Sequence, residues 1–406
     1  MARSHLTLAA LATSAVPGLD VVQARSHGSS GRSSDAHGAY DSAVLLDRDG
    51  RSLIIRVPLS QAAETEQSAD LVALRALTVG NRSRLPFDVP QFVGQAPLSG
   101  TRAVVYEFLP GDTFDADALT GHAGVSGSIG RAIAAIHGLP TAVVSDAGLT
   151  QRSAQDCRTE VIELIGRTEA TGYLPAALLR RWELATDDDS LWQFLPCVIH
   201  GSLSAESFLI GEDSVAAVLG WAALSVGDPA RDLNWLLASR GAAGEAAIAS
   251  YGGARQGNDP RITQRAMLYA ELELARWLLH GTDTRNQGIV DDAVAMLDGL
   301  VENVHHATSH PLSPKTGPIL NVSEVESLLA ETPYAAVRRA PAAAMHTDAY
   351  TLSDFETGEF ADEADTTGAI DVVGDGTDTD TGTGDDSRAD VLDTTADHAA
   401  TRSASE

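Results

Sequence analysis

The sequence predicts an α+β protein in which a small antiparallel sheet precedes a mainly helical region and an acidic tail follows. Three observations predict it. Tyr40 to Asp47 and Ser52 to Pro58 are strand-like runs on either side of Asp49-Gly50, a dipeptide suited to a tight hairpin turn. From Val125 the pattern turns helical, with Ile129, Ile133 and Ile136 on one face. From about Thr347 the chain is rich in Asp, Thr and Gly and poor in large apolar residues, a composition that cannot offset its ordering entropy.

The elements follow in order. Leu6 to Val16 is read as a short N-terminal helix; as a signal peptide it is poor, because Thr7 and Thr13 break the apolar run and Arg3 is its only charge. Leu19 to Arg25 reads as the first strand, and His27 to Gly38 as a polar hairpin loop whose glycines do not match G-x-G-x-x-G. Ala62 to Thr78 carries Leu71, Leu74 and Leu77 at helical spacing, and Asn81 to Pro90 is a turn-rich exit. Val104 to Phe108 reads as a buried strand that ends at Leu109-Pro110-Gly111. Further helices are expected over Val125–His137, Asp156–Thr168, Pro175–Ala185, Ala230–Ser239, Arg261–Leu279 and Gln287–Val304, with Gly138-Leu139-Pro140 closing the first. Ser323 and Glu326 have capping-box spacing for one more helix to Leu329.

Charge bounds the partners. The chain of 406 residues has a formal net charge of −28, which opposes association with phosphate backbones and anionic lipid and suits a cationic partner. Thr351 to Glu406 holds 16 acidic residues against Arg388 and Arg402, so half of the excess sits in the tail, where a protein partner could dock. Cys157 and Cys197 are too few for a disulfide framework and read as free buried thiols, which suits a reducing cytoplasm. No apolar run approaches the roughly 20 residues a membrane-spanning helix needs.

The motifs with chemical content lie in the middle of the chain. His200-Gly201-Ser202-Leu203-Ser204-Ala205-Glu206-Ser207 follows the apolar Val198-Ile199 and precedes Phe208-Leu209-Ile210. Downstream come Ala217-Val218-Leu219-Gly220-Trp221 and Gly227-Asp228-Pro229-Ala230-Arg231-Asp232-Leu233. Together these resemble the H-G-D-x-x-x-x-N loop, the apolar-apolar-Asp-Trp strand end and the G-D-P-x-x-D-L block of the aminoglycoside and macrolide phosphotransferases, relatives of the protein kinases. Gly130 to Pro140 is similar to that family's helix ahead of the loop. The resemblance covers about three quarters of the chain, to His305.

It implies a two-lobed, protein-kinase-like fold, with an N-lobe over residues 1–110 and a helical C-lobe over 111–306. A linker over 307–346 and a disordered acidic tail over 347–406 complete the expected organisation. The resemblance also implies ATP and Mg²⁺, with Arg56 and Asp70 at the places of the strand cation and helical acid that meet the phosphates. An Arg56–Asp70 ion pair that orders the helix without nucleotide is the other reading of these two. Glu107 and Phe108 fall where relatives hold adenine with backbone groups. His200 is expected to support the loop, and Asp228 and Asp232 to act as caps or anchors of the scaffold.

The departures concern the chemistry. In-line phosphoryl transfer needs a proton acceptor beside the attacking hydroxyl and divalent metal on the phosphate oxygens. Ser202 stands at the catalytic Asp position, and its hydroxyl cannot take a proton near neutral pH; a lost general base typically lowers rate about 10²–10⁴-fold. Ser207 and Gly220 stand at the family's metal-ligand positions and lack the ligating groups. Glu206, Glu212 and Asp213 are the nearest other acids; Glu206 is read as a solvated loop residue, and the other two are expected to face away from the cleft. The expectation is a catalytically impaired, pseudokinase-like protein that acts by binding a nucleotide or small molecule or by regulation. The alternatives are an active kinase of a macrolide or aminoglycoside hydroxyl, and a partner-docking protein acting through its tail.

Overall fold

The computed structural model describes residues 3–27, 38–98, 100–114, 123–238, 242–255, 257, 259–306 and 312. Most of the His27–Gly38 loop, the Ser323–Leu329 helix and the tail expected to be disordered lie outside the described residues. The chain divides into residues 1–319 and 320–406, and the described residues all belong to the first unit.

The N-terminal part is α1 (His5–Ala15), β1 (Val21–Ser26), β2 (Tyr40–Asp47), β3 (Ser52–Pro58), α2 (Gln61–Ala76), α3 (Val79–Arg82), β4 (Phe92–Leu98) and β5 (Thr101–Glu107). The strands form one antiparallel sheet in the order β1-β2-β3-β5-β4. Side chains alternate across a strand, and here the alternation divides the sheet between two cores. Leu53, Ile55 and Val57 of β3 pack with Leu8 and Ala12 of α1, whereas Val104 and Tyr106 of β5 join Leu71 and Leu74 of α2. Ile54 and Arg56, offset by one residue from the first set, therefore share the face on the α2 side. Ser60 caps α2 by accepting the Ala63 N–H at 3.2 Å.

Two elements escape the sequence pattern. β4 holds Gly94 and Pro97, which argue against a central strand; it is the edge strand, where a missing N–H donor is tolerated. α3 interrupts the exit expected to be turns alone.

The helical part contains α4 (Ala123–His137), α5 (Ala142–Ser145), α6 (Ala154–Glu169), α7 (Ala176–Asp187), β6 (Cys197–Ile199), β7 (Phe208–Gly211), β8 (Ser214–Val218), β9 (Ser225–Gly227), α8 (Asn234–Ala238), α9 (Ala242–Ala254), α10 (Ile262–Asp283) and α11 (Gln287–His306). The helix expected over Ala230–Ser239 is instead a 3₁₀ turn, Pro229–Asp232, followed by the short α8. The Asp232 carboxylate is drawn to the His200 loop at this point. α9 has no counterpart among the expected helices, because Gly244, Gly252 and Gly253 are poor helix formers. Its partner explains it: a Cβ on Gly130 of α4 would stand 2.1 Å from the Ala247 carbonyl, so bare backbone lets the two helices meet.

The β7–β8 hairpin is fastened to the N-terminal part from two sides. Asp112 and Ile210 exchange backbone hydrogen bonds of 2.9 Å, and the Asp88 N–H donates to the Ala216 carbonyl at 2.8 Å. Cys157 and Cys197 are free and buried, and burial pushes their thiols up to about 11 and about 12. Among the described residues no helix is long and apolar enough to cross a membrane.

Candidate active site

A cleft of about 670 Å³ opens between the sheet and the β7–β8 hairpin. Arg56, Asp70, Glu107, Phe108, Ser202, Ser207 and Gly220 all line it. Residues far apart in sequence thus share one cavity because β3, α2, the strand end of β5 and the hairpin converge there. Ile54, Tyr106, Leu209 and Leu219 supply apolar surface. Glu206 also lines the cleft; the turn acids Glu212 and Asp213 do not.

His200, Asp228 and Asp232 lie beneath the cleft rather than in its wall. The Asp232 carboxylate, fully buried, accepts the backbone N–H groups of His200 and Gly201, each at 2.7 Å. His137 Nε2 stands 3.1 Å from the same carboxylate and His137 Nδ1 stands 3.0 Å from the Tyr251 hydroxyl. Burial alone would raise the Asp232 pKa; the His137 hydrogen bond and the Gly201 N–H outweigh it and hold the carboxyl below its usual range. Burial lowers the pKa of His137 and of His200 below the ordinary imidazole value, against the pull of Asp232. His200 Nε2 meets the Leu219 carbonyl at 3.0 Å, which joins the loop to the strand end before Gly220.

Gly201 supports this arrangement conformationally. Its φ of +87° lies in the left-handed region, and a Cβ there would sit 2.5 Å from the Ala223 carbonyl. Asp228 belongs to a separate clamp: it accepts the Ala230 N–H at 2.9 Å and the Arg265 Nε–H at 2.7 Å. The Arg265 guanidinium, buried against Phe194, is held strongly protonated by Asp228 and Asp259.

At the positions where the resemblance implies phosphotransfer chemistry, the groups are engaged differently. Ser202 is exposed to the cleft. The Ser207 hydroxyl accepts the Ser204 N–H at 3.1 Å, and its own carbonyl accepts the Leu219 N–H at 2.8 Å, so the residue closes a local turn. Gly220 has φ +78° and open space where a Cβ would stand. Asp70 is engaged by backbone: its Oδ1 accepts the Trp221 N–H at 2.8 Å. Burial pushes the Asp70 carboxyl up to about 6, against the Arg56 charge and the Trp221 hydrogen bond. Arg56 lies over the Tyr40 ring at 4.1 Å. Tyr40 carries no motif in the sequence; the fold brings it into the cleft wall beneath Arg56.

The residues fit the two implied cofactors unequally. The apolar lining and the linker suit a flat ring, although the Glu107 and Phe108 N–H groups already donate to Gln91 and Ser52 carbonyls at 2.9 and 3.0 Å. For a divalent metal, which is commonly held by one or two carboxylates together with phosphate oxygens, Ser207 and Gly220 offer no ligating side chain, and the acids that line the cleft are Glu66, Asp70, Glu107, Asp112 and Glu206.

Residues 33–268 match the phosphotransferase enzyme family, described as APH. The chain belongs to that family. A macrolide 2'-phosphotransferase from Brachybacterium faecium, solved as the apoenzyme, shares the fold at a TM-score of 0.59 and 21% identity, over 72% of this chain and 98% of that one. The GDP and kanamycin complex of an APH(2") enzyme gives 0.58 and 18%, over 73% and 99%. In sequence, an uncharacterized protein of Bacillus subtilis (strain 168) is 23% identical over 191 residues; the match spans 46% of this chain and 62% of that protein, less than two thirds of its length. These likenesses establish a kinase-like phosphotransferase fold, with its antiparallel sheet and helical region.

Proposed function

We propose that this family member has lost metal-dependent phosphoryl transfer and acts by binding a nucleotide or small molecule in the cleft. One observation carries the reading: Ser202, Ser207 and Gly220 stand together at the cleft wall, and none offers a carboxylate or amide side chain. The family's general-base position and both of its metal-ligand positions therefore lack the groups that remove the proton and hold the metal on the phosphates. Of the neighbouring groups, Ser207 closes a turn and Asp70 is bonded to Trp221, while Glu206 is an exposed loop carboxylate at the cleft. Asp228 and Asp232 are proposed as scaffold residues, His200 as the support of the loop, and Arg56, Asp70, Glu107 and Phe108 as the lining that meets a ligand.

The GDP bound to a relative of the same fold supports a nucleotide as the first ligand to try. Thermal shift with ATP is expected to show no further stabilisation when Mg²⁺ is added, and ATP consumption over a panel of macrolides and aminoglycosides is expected to stay at background. Robust turnover of any acceptor overturns the reading. The combined change Ser202→Asp, Ser207→Asn and Gly220→Asp is expected to introduce Mg²⁺-dependent stabilisation by ATP.

A further inference from the structure

A second cavity lies apart from the cleft and shares no lining residue with it. Its volume is about 420 Å³, within the roughly 300–1,000 Å³ common for small-molecule sites. Three pieces of chain meet there: the Pro86-Phe87 loop, a stripe of α4, and the start of β8 at Ser214-Val215. Ser128, Arg131, Ala132 and Ala135 of α4 have the spacing that puts them on one helix face.

These walls are tied to one another. Arg82 donates its guanidinium N–H groups to the carbonyls of Leu74, Leu77, Val89 and Pro90 at 2.7–3.1 Å, which fixes the loop that carries Phe87. The Val215 N–H donates to Ser128 Oγ at 2.9 Å, and Asp88 donates to the Ala216 carbonyl at 2.8 Å and accepts the Val218 N–H at 3.0 Å. β8 is thereby joined to α4 on one side and to the loop on the other. The cavity is built before a ligand arrives, so binding need not order its walls.

The lining is apolar with donors at one place. Phe87, Ala132 and Val215 are buried. In a chain with 56 acidic residues against 28 basic ones, this cavity wall holds one cation, Arg131, and no acid. Glu212 and Asp213 precede Ser214 in sequence but do not line the cavity. Arg131 is exposed and has no hydrogen-bond or ion-pair partner among the described residues. Ser128 is buried and uses its oxygen to accept the Val215 N–H, which leaves its own O–H to donate.

We propose that this cavity is a second small-molecule site, for an organic anion with an apolar body such as a medium-chain carboxylate. The apolar chain lies against Phe87, Ala132 and Val215, and the carboxylate meets the Arg131 guanidinium and the Ser128 hydroxyl, two donors three residues apart on one helix face. The site stands whatever the cleft binds.

Isothermal titration of the full chain with octanoate, octanol and octylamine tests this, because the three share an apolar tail and differ in the head group. Octanoate is expected to bind saturably at millimolar concentration, at least about tenfold more tightly than the other two, the scale of a charged hydrogen bond. The net charge of −28 by itself would favour the amine. Arg131→Gln is expected to weaken octanoate at least about tenfold and to leave the Tm of the ligand-free chain unchanged, since Arg131 is exposed and makes no bond that folding uses. Ala135→Leu, which enlarges a side chain of the cavity wall, is expected to remove binding. Absence of saturable octanoate binding overturns the proposal, as does octylamine binding equally tightly or octanoate affinity unchanged in the Arg131→Gln chain. If the Ala135→Leu chain does not fold, Arg131→Gln decides alone.

Discussion

At the scale of single residues, Asp232 carries the greatest structural burden near the cleft. Its carboxylate accepts two backbone N–H groups and faces His137, all without solvent. Removing one partner of a buried charged set leaves the others unsatisfied, so Asp232→Ala is expected to lower stability by about 3–5 kcal/mol. Urea denaturation measures it, and a loss under about 1 kcal/mol, the worth of an ordinary hydrogen bond, would contradict this account. Asp70 behaves oppositely. Its folded pKa stands above its ordinary value, so the ionised form opposes folding; this penalty grows as pH rises from the ordinary carboxylate range through about 6 and is constant above it. Asp70→Asn is therefore expected to raise Tm relative to the unaltered chain at pH 7.5, with the difference shrinking toward pH 5.

At the scale of elements, two glycines separate close approach from helix propensity. Gly130 of α4 lies against the Ala247 carbonyl of α9, and a methyl group would have to push backbone aside. Gly130→Ala is expected to destabilise by about 1–3 kcal/mol, the usual range of overpacking. Gly166 of α6 has nothing within 4 Å of its missing Cβ. There Ala is expected to stabilise by about 0.5–1 kcal/mol, because only backbone entropy changes. Paired chemical melts of the two variants check the opposite signs. The same packing explains why α9 is illegible in the sequence: its glycines argue against a helix locally, and its reason for being one lies on α4. β4 is illegible for a related cause, since only its place at the sheet edge excuses Pro97.

At the scale of the whole molecule, pH acts through buried histidines. His137 and His200 have folded pKa values below the ordinary 6.5, with burial the main cause. The unfolded chain then binds more protons as pH falls through about 6.5, so stability is present above that value and lost below it. Asp70 works in the reverse sense over the same window, and two histidines are expected to outweigh one carboxyl. Tm is thus expected to fall between pH 7.5 and 5.5, and His137→Gln to flatten the slope; a Tm that rises on acidification counts against this. The tail prediction belongs here too. Composition from Thr347 onward gives no means of burying apolar surface, so deleting it is expected to leave the melting transition in place.

Much of the fold was legible because it is written in short-range signals. Asp49-Gly50 and the runs beside it specified β2 and β3, and helical spacing specified α2, α4 and α10 within a few residues of their ends. The motifs at His200 and Gly227 pointed to the family, and the absence of acid at Ser202 and of metal ligands at Ser207 and Gly220 is a property of sequence alone. What sequence could not supply is the use each side chain finds. Whether Asp70 serves Arg56 or a distant amide depends on where α2 meets the strand end, and that meeting is fixed by the packing of the sheet, the helix and the hairpin together. Local propensity acts over a few residues, whereas the Asp70–Trp221 bond exists only once 151 residues of intervening chain have folded back.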